Sequence, residues 1–230
     1  MIRLGLTGSM AMGKSSVAAM LRRAGVPVFE ADQAVHRLLA AGGDAVAAVA
    51  AAGPGCAASS GAAAGGIDRR ALGQRVFGDG PALDRLEAIL HPLVRRMRDD
   101  FIARQKASGA DLVALDIPLL LETGGAEQVD LVVVVRADAA TQRQRALARP
   151  GMTEERLAFV LARQMDDAEK RRRADVVIDN SGTPEATEDQ VRALLHALAA
   201  AGHDVAVFRR NHRPDQSRDR RRDGAEYSDR

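Results

Sequence analysis

Gly8, Ser9, Met10, Ala11, Met12, Gly13, Lys14 and Ser15 run consecutively and match the pattern GxxxxGK[ST]. That spacing suits a polyphosphate. Successive backbone amides curl around phosphate oxygens, and a helix beginning at the lysine adds its partial positive charge. Lys14 is expected to reach the β and γ phosphates of a nucleotide, and the Ser15 hydroxyl to ligate Mg²⁺. Three of the 33 basic residues are lysines, at 14, 106 and 170, so a lysine in this position stands out against an arginine background.

A second chemical cue follows at Glu30 and Asp32. If the extended run before them continues, two acids two residues apart project to one side at the carboxyl edge of a sheet, where open α/β sheets bind ligands. Phosphoryl transfer to an alcohol needs a carboxylate within hydrogen-bond reach of the hydroxyl, to take its proton as the oxygen attacks phosphorus in line. Asp32 is the candidate base, and Glu30 its neighbour or a metal-shell group. The competing reading is that Asp32 caps the helix that follows.

These residues must be positioned by a strand, a loop and a helix, and the flanking sequence supplies them. Ile2 to Leu6 is a short apolar run closing at Thr7 and Gly8, and Val17, Met20 and Leu21 have helical spacing up to Gly25. Val26 to Phe29 forms a second apolar run, followed by a helical stretch from Ala34 to Leu39. Such a βαβ unit implies a parallel sheet. Further apolar runs at Leu112 to Leu115, Val129 to Val135 and Val176 to Ile178 bring the expected count to five parallel strands. Between strands two and three, residues 41–107 read as a helical insert. They are rich in Ala and Gly to about residue 66, then helical with breaks near Gly78, Gly80 and Pro81 and again at His91 and Pro92. Residues 138–172 form a charged helical segment broken at Pro150 and Gly151.

The composition narrows the function. With 46% apolar and 28% charged residues, the chain is a globular protein. Aromatics at 3% leave no stacking platform for single-stranded nucleic acid. The net charge is +2, but residues 209–230 hold eight Arg against five acids, which puts +3 there and about −1 on the rest. This tail has almost no apolar residues and is expected to be disordered, with no nucleic-acid partner. One cysteine, Cys56, allows no internal disulfide, and five scattered histidines offer no zinc spacing. No apolar run is long enough to span a membrane, and no secretory leader is visible at the start. The expectation is a cytoplasmic protein without a membrane partner, its oligomeric state open with a monomer favoured.

Together the segments LTGSMAMGKSSVA, FEADQAVHRLL, LHPLV, DIPLLLETG and RADVVIDNSG, in this order between residues 5 and 182, resemble the dephospho-CoA kinase family. The resemblance implies a three-layer α/β/α P-loop fold, with core residues 1–40 and 108–205, a helical substrate-binding insert at about 41–107 and a mobile lid at about 138–172. It also implies transfer of the γ-phosphoryl group of ATP, with Mg²⁺, to the ribose 3′-hydroxyl of dephospho-CoA. Ala11, Met12, Gly13, Lys14, Ser15 and Ser16 would then hold the ATP phosphates, with Asp32 as base and Arg145 and Arg149 as lid cations neutralising the transferring group. The chain departs from the family's glycine-rich loop at Ser9, Ala11 and Met12, and has Glu30 where Asp is usual. Ala11 is expected to be strained if its φ is positive.

Other residues carry two readings each. Asp116 ends the run LVALD as a Walker B acid does, to hold Mg²⁺ directly or through water, or as a strand cap. Glu122 either orients substrate or metal, or starts a helix. His91 either touches the acceptor or is structural, and Arg171 to Arg173 read as a solvated face. Two rival functions share the loop. One is another P-loop nucleoside or nucleotide kinase. The other is a non-catalytic nucleotide-binding switch, against which the missing NKxD motif speaks.

Overall fold

The computed structural model describes residues 1–52, 64–76 and 79–212. Expectations placed on Cys56, on Gly78 and on the tail beyond His212 lie outside the described residues. Five strands, β1 (Ile2–Thr7), β2 (Val28–Glu30), β3 (Leu112–Asp116), β4 (Leu131–Arg136) and β5 (Val176–Asp179), form one sheet in the order β2-β3-β1-β4-β5. β1 runs parallel to β3, with Ile2 opposite Leu112 and Leu6 opposite Asp116, and parallel to β4, with Leu4 opposite Leu131. β4 and β5 are parallel as well. The expected five-stranded parallel α/β sheet is borne out.

β3 and β4 are buried almost end to end, which explains why they read as unbroken apolar runs and not as alternating ones. Both faces are covered. Ile2, Leu4, Leu6, Leu131, Val133 and Val135 meet the apolar stripes of α1 (Lys14–Arg23) and α9 (Pro184–Ala200). On the opposite face Gly5 leaves room that a side chain would fill, since a Cβ there would lie 2.6 Å from Leu120 and 3.0 Å from Val129. β1 lies between β3 and β4, so the chain leaves the sheet at its topological switch point, the place where a parallel sheet opens a crevice at its carboxyl edge.

The chain divides into two compact units, Met1–Val28 with Asp111–Arg230, and Phe29–Ala110. The division falls earlier than the sequence suggests. The helix after β2, α2 (Ala31–Leu39), belongs with the insert because Leu38 and Leu39 pack into its small core. That unit also contains α3 (Val46–Ala52), α4 (Arg69–Val76) and α5 (Gly80–Ala107). Asp79 caps α5 by accepting from the Ala82 amide at 2.9 Å.

The break expected at His91 and Pro92 does not occur, for α5 continues through both. Pro92 is exposed, and so is Ala88, whose carbonyl loses its amide partner to the proline and can turn to water. Leu86, Ile89, Leu90, Leu93, Val94 and Met97 meanwhile pack into the core on both sides of the proline.

In the first unit, the charged segment expected to break once divides into three helices, α6 (Ala139–Leu147), α7 (Glu154–Ala162) and α8 (Asp167–Arg173). Side chains of Asp138, Thr153 and Asp166 cap them in turn. The carboxyl-terminal helix α10 (Val205–His212) buries Phe208, and Arg209 pairs with Asp175 at 2.7 Å. Residues 209–212, expected in the tail, are therefore helical. No helix among the described residues is long and apolar enough to cross a membrane.

Candidate active site

β1 ends at Thr7, whose hydroxyl donates to the Pro118 carbonyl at 3.0 Å, and residues 8–13 turn into α1. Gly13 sits at the helix N-cap with φ 89°, and no side chain caps the helix there. A Cβ on Gly13 would fall 1.8 Å from Asn180 Nδ2, so only glycine fits. Gly8 is equally confined, since a Cβ there would meet the Val135 carbonyl at 2.4 Å. Ala11 has φ 64°, the left-handed conformation in which a methyl is strained. The first turn of α1 holds no acid. Its leading amides and the helix dipole form a positive surface of the kind that receives phosphate.

Lys14 forms an ion pair with Asp116 at the end of β3, both largely buried. Ser15 and Ser16 are exposed, and no hydrogen bond of their hydroxyls is formed among the described residues. From α6, Arg145 reaches the same loop. Its Nη1 lies 3.4 Å from where a Gly13 Cβ would be, and it is buried with no hydrogen-bond partner among the described residues. A buried guanidinium nitrogen left unpaired is costly, and an anionic oxygen would satisfy it. Arg149, in the turn after α6, is exposed.

Several polar side chains that the sequence did not single out hold the loop in shape. Asn180, after β5, donates to the Met12 carbonyl at 3.0 Å and accepts from Thr187 at 3.0 Å. Gln164 accepts from the Met10 amide at 3.0 Å, and Gln142 donates to the Met10 carbonyl at 2.9 Å. Lys170 is fully buried, 2.8 Å from Glu122 Oε1 and 3.1 Å from Ser9 Oγ. Glu122, expected at substrate or metal, is thus engaged by a lysine. The residues that depart from glycine have work of their own. Ala11 and Met10 pack against Ala146, Leu147, Leu157 and Leu161 of α6 and α7, and Met12 Sδ accepts from the Ala137 amide.

The second unit carries the remaining candidates. β2 ends at Glu30, which is the extended N-cap of α2 with no side-chain cap hydrogen bond. Asp32 is already helical, so the alternation that would place the two acids side by side does not extend to it. Nor does Asp32 cap the helix; it sits in the first turn, where a negative charge suits the dipole. Its side chain is exposed, with no hydrogen-bond or ion-pair partner among the described residues. His91 is exposed on α5.

Residues 2–185 match the family model described as dephospho-CoA kinase (CoaE). The dephospho-CoA kinase of Mesorhizobium japonicum is 54% identical over 198 residues, covering 86% of this chain and 97% of the relative. That of Paramagnetospirillum magneticum is 62% identical over 168 residues, covering 73% and 77%. A crystal structure from Thermus thermophilus superposes with a TM-score of 0.72 at 36% identity, covering 86% of this chain and 97% of its own. Dephospho-CoA kinase from Campylobacter jejuni, at 22% identity and a TM-score of 0.63, shares the fold. A phosphate-binding loop at the switch point of a parallel sheet, together with matches along most of the sequence, gives one conclusion: this chain belongs to the dephospho-CoA kinase family.

Proposed function

We infer that this chain transfers the γ-phosphoryl group of ATP to the ribose 3′-hydroxyl of dephospho-CoA, yielding coenzyme A and ADP. The observation that carries the reading is the unpaired, buried Nη1 of Arg145 beside Gly13, over a helix start with no acid and next to Lys14. The loop amides and Lys14 bind the β and γ phosphates, which compete with Asp116 for the lysine. Arg145 and Arg149 offset the charge on the γ group as it transfers. Asp32 takes the proton of the 3′-hydroxyl while its oxygen bonds to the γ phosphorus. The bond from that phosphorus to the bridging oxygen breaks, and ADP leaves. His91 contacts the acceptor.

The Ser15 hydroxyl and the Asp116 carboxylate are oxygen donors of the kind Mg²⁺ takes when phosphates and water complete its shell, and the ion would neutralise charge between the β and γ phosphates. Family membership supports the acceptor, and the single cysteine in 230 residues suits a reducing cytoplasm. The partners are small molecules, ATP and dephospho-CoA.

A coupled ADP-release assay with dephospho-CoA added and withheld tests this. Release should depend on dephospho-CoA over a panel of nucleosides and nucleotides, and Lys14→Ala should lower kcat/KM for ATP by ~10² to 10³. Preference for a nucleoside acceptor, or ADP release indifferent to any acceptor, overturns the reading.

A further inference from the structure

Lys170 is the one fully buried cation among the described residues, and it lies on a helix whose neighbouring arginines all face outward or pair locally. Its ammonium joins three segments far apart in sequence. Ser9 opens the phosphate loop, Glu122 follows β3, and Lys170 lies in α8. Glu122 Oε1 also accepts from the Met165 amide at 3.0 Å, while Oε2 is buried with no hydrogen-bond partner among the described residues. The segment from Gln164 to Lys170 therefore grips the loop twice, at the Met10 amide through Gln164 and at the Ser9 hydroxyl through Lys170. The turn between those grips is closed by the Met12 amide, which donates to the Ser9 carbonyl at 3.2 Å.

A compact ammonium with three divergent donors suits this junction, where two acceptors on different segments converge on one point. A planar guanidinium does not. In a chain with 30 arginines, the lysine is the exception that fits. A buried ion pair is weak evidence for stability, because an apolar pair of like volume often serves as well. Its value here lies in geometry. The pair fixes the first turn of the phosphate loop through the Ser9 hydroxyl.

We propose that Lys170, held by Glu122, is a positioning residue for ATP: through Ser9 it keeps the phosphate loop in the shape that receives the nucleotide, without touching the reacting atoms. The proposal rests on the loop being an ATP site and not on the identity of the acceptor.

Two variants test it, each measured for ATP affinity by equilibrium titration, for kinetics and for thermal melting. The neutral double variant Lys170→Met/Glu122→Gln removes both charges, so neither is left buried alone. It should melt cooperatively, bind ATP about tenfold more weakly and, at saturating ATP, keep kcat within about threefold of the parent. Ser9→Ala deletes only the hydroxyl and should weaken ATP about threefold. If the double variant does not fold, Ser9→Ala decides. Parental ATP affinity in either folded variant overturns the proposal and leaves the pair a packing feature. A parent that binds ATP yet shows no turnover with dephospho-CoA would sink the proposed reaction and leave this inference standing.

Discussion

Asp32 presents a carboxylate to solvent from the first turn of α2 without a partner among the described residues, and that arrangement separates its structural value from its chemical one. The dipole interaction of an exposed first-turn acid is worth ~0.3–1 kcal/mol, whereas loss of a general base costs ~10² to 10⁴ in rate. Asp32→Asn should therefore leave the melting temperature within about 3 °C of the parent and lower kcat by ~10² to 10⁴, with KM for ATP little changed. Steady-state kinetics with dephospho-CoA check it, and an unaltered kcat removes Asp32 from the mechanism. Ala11 poses the opposite balance. Its left-handed φ of 64° costs about 1–2 kcal/mol, while its methyl, 6% exposed against Ala146 and Leu157, contributes about 0.8 kcal/mol. Glycine also carries a larger unfolded-state entropy, by about 0.4–1 kcal/mol. The terms nearly cancel, so Ala11→Gly should change stability by less than about 1 kcal/mol in chemical denaturation. A large loss would show that the packing of Met10 and Ala11 on α6 and α7 dominates. Ala11 was legible because its strain follows from a local pattern. Lys170 and Asn180 were not, since their burial is created by partners 161 and 168 residues away, Ser9 and Met12.

At the scale of elements, strands were legible where burial on both faces forces an unbroken apolar run, as in β3 and β4. Two boundaries failed for a common reason. The turn from β2 into α2 and the passage of α5 through Pro92 are set by packing of the insert core, which overrides local preference. Pro92 thus sits where its helix tolerates it, and a proline in a helix interior remains about 3 kcal/mol worse than alanine. Pro92→Ala should restore an amide for the Ala88 carbonyl and raise the melting temperature by several degrees. A melting temperature unchanged or lowered would mean that α5 depends on the proline for its course.

On the scale of the molecule, the sheet-bearing unit is fastened by charged contacts that no local pattern foretells. Arg3 at the start of β1 donates to both carboxylate oxygens of Asp130, at 2.8 and 3.0 Å, and its amide donates to Asp130 at 2.7 Å. Arg209 of α10 donates to the Asp130 carbonyl at 2.9 Å and to Asp175, so the last described helix is tied to the entry of β4. The Arg3 guanidinium holds the Asp130 carboxyl below its ordinary value, by hydrogen bonding first and against the opposing effect of burial. A carboxyl more acidic in the folded than in the unfolded chain stabilises wherever both states are ionised, above the unfolded value near 4. As pH falls, the unfolded chain takes up the proton first, so the contribution fades below about pH 5 and is gone once the folded carboxyl protonates. Asp130→Asn should accordingly lower the melting temperature by about 3 °C at pH 7, an amount discounted for the partial exposure of the pair. The gap between variant and parent should narrow as the pH is lowered from 5. Melting curves at stepped pH measure this gap directly, and one that stayed constant down the series would show that the pair acts through packing and not through charge.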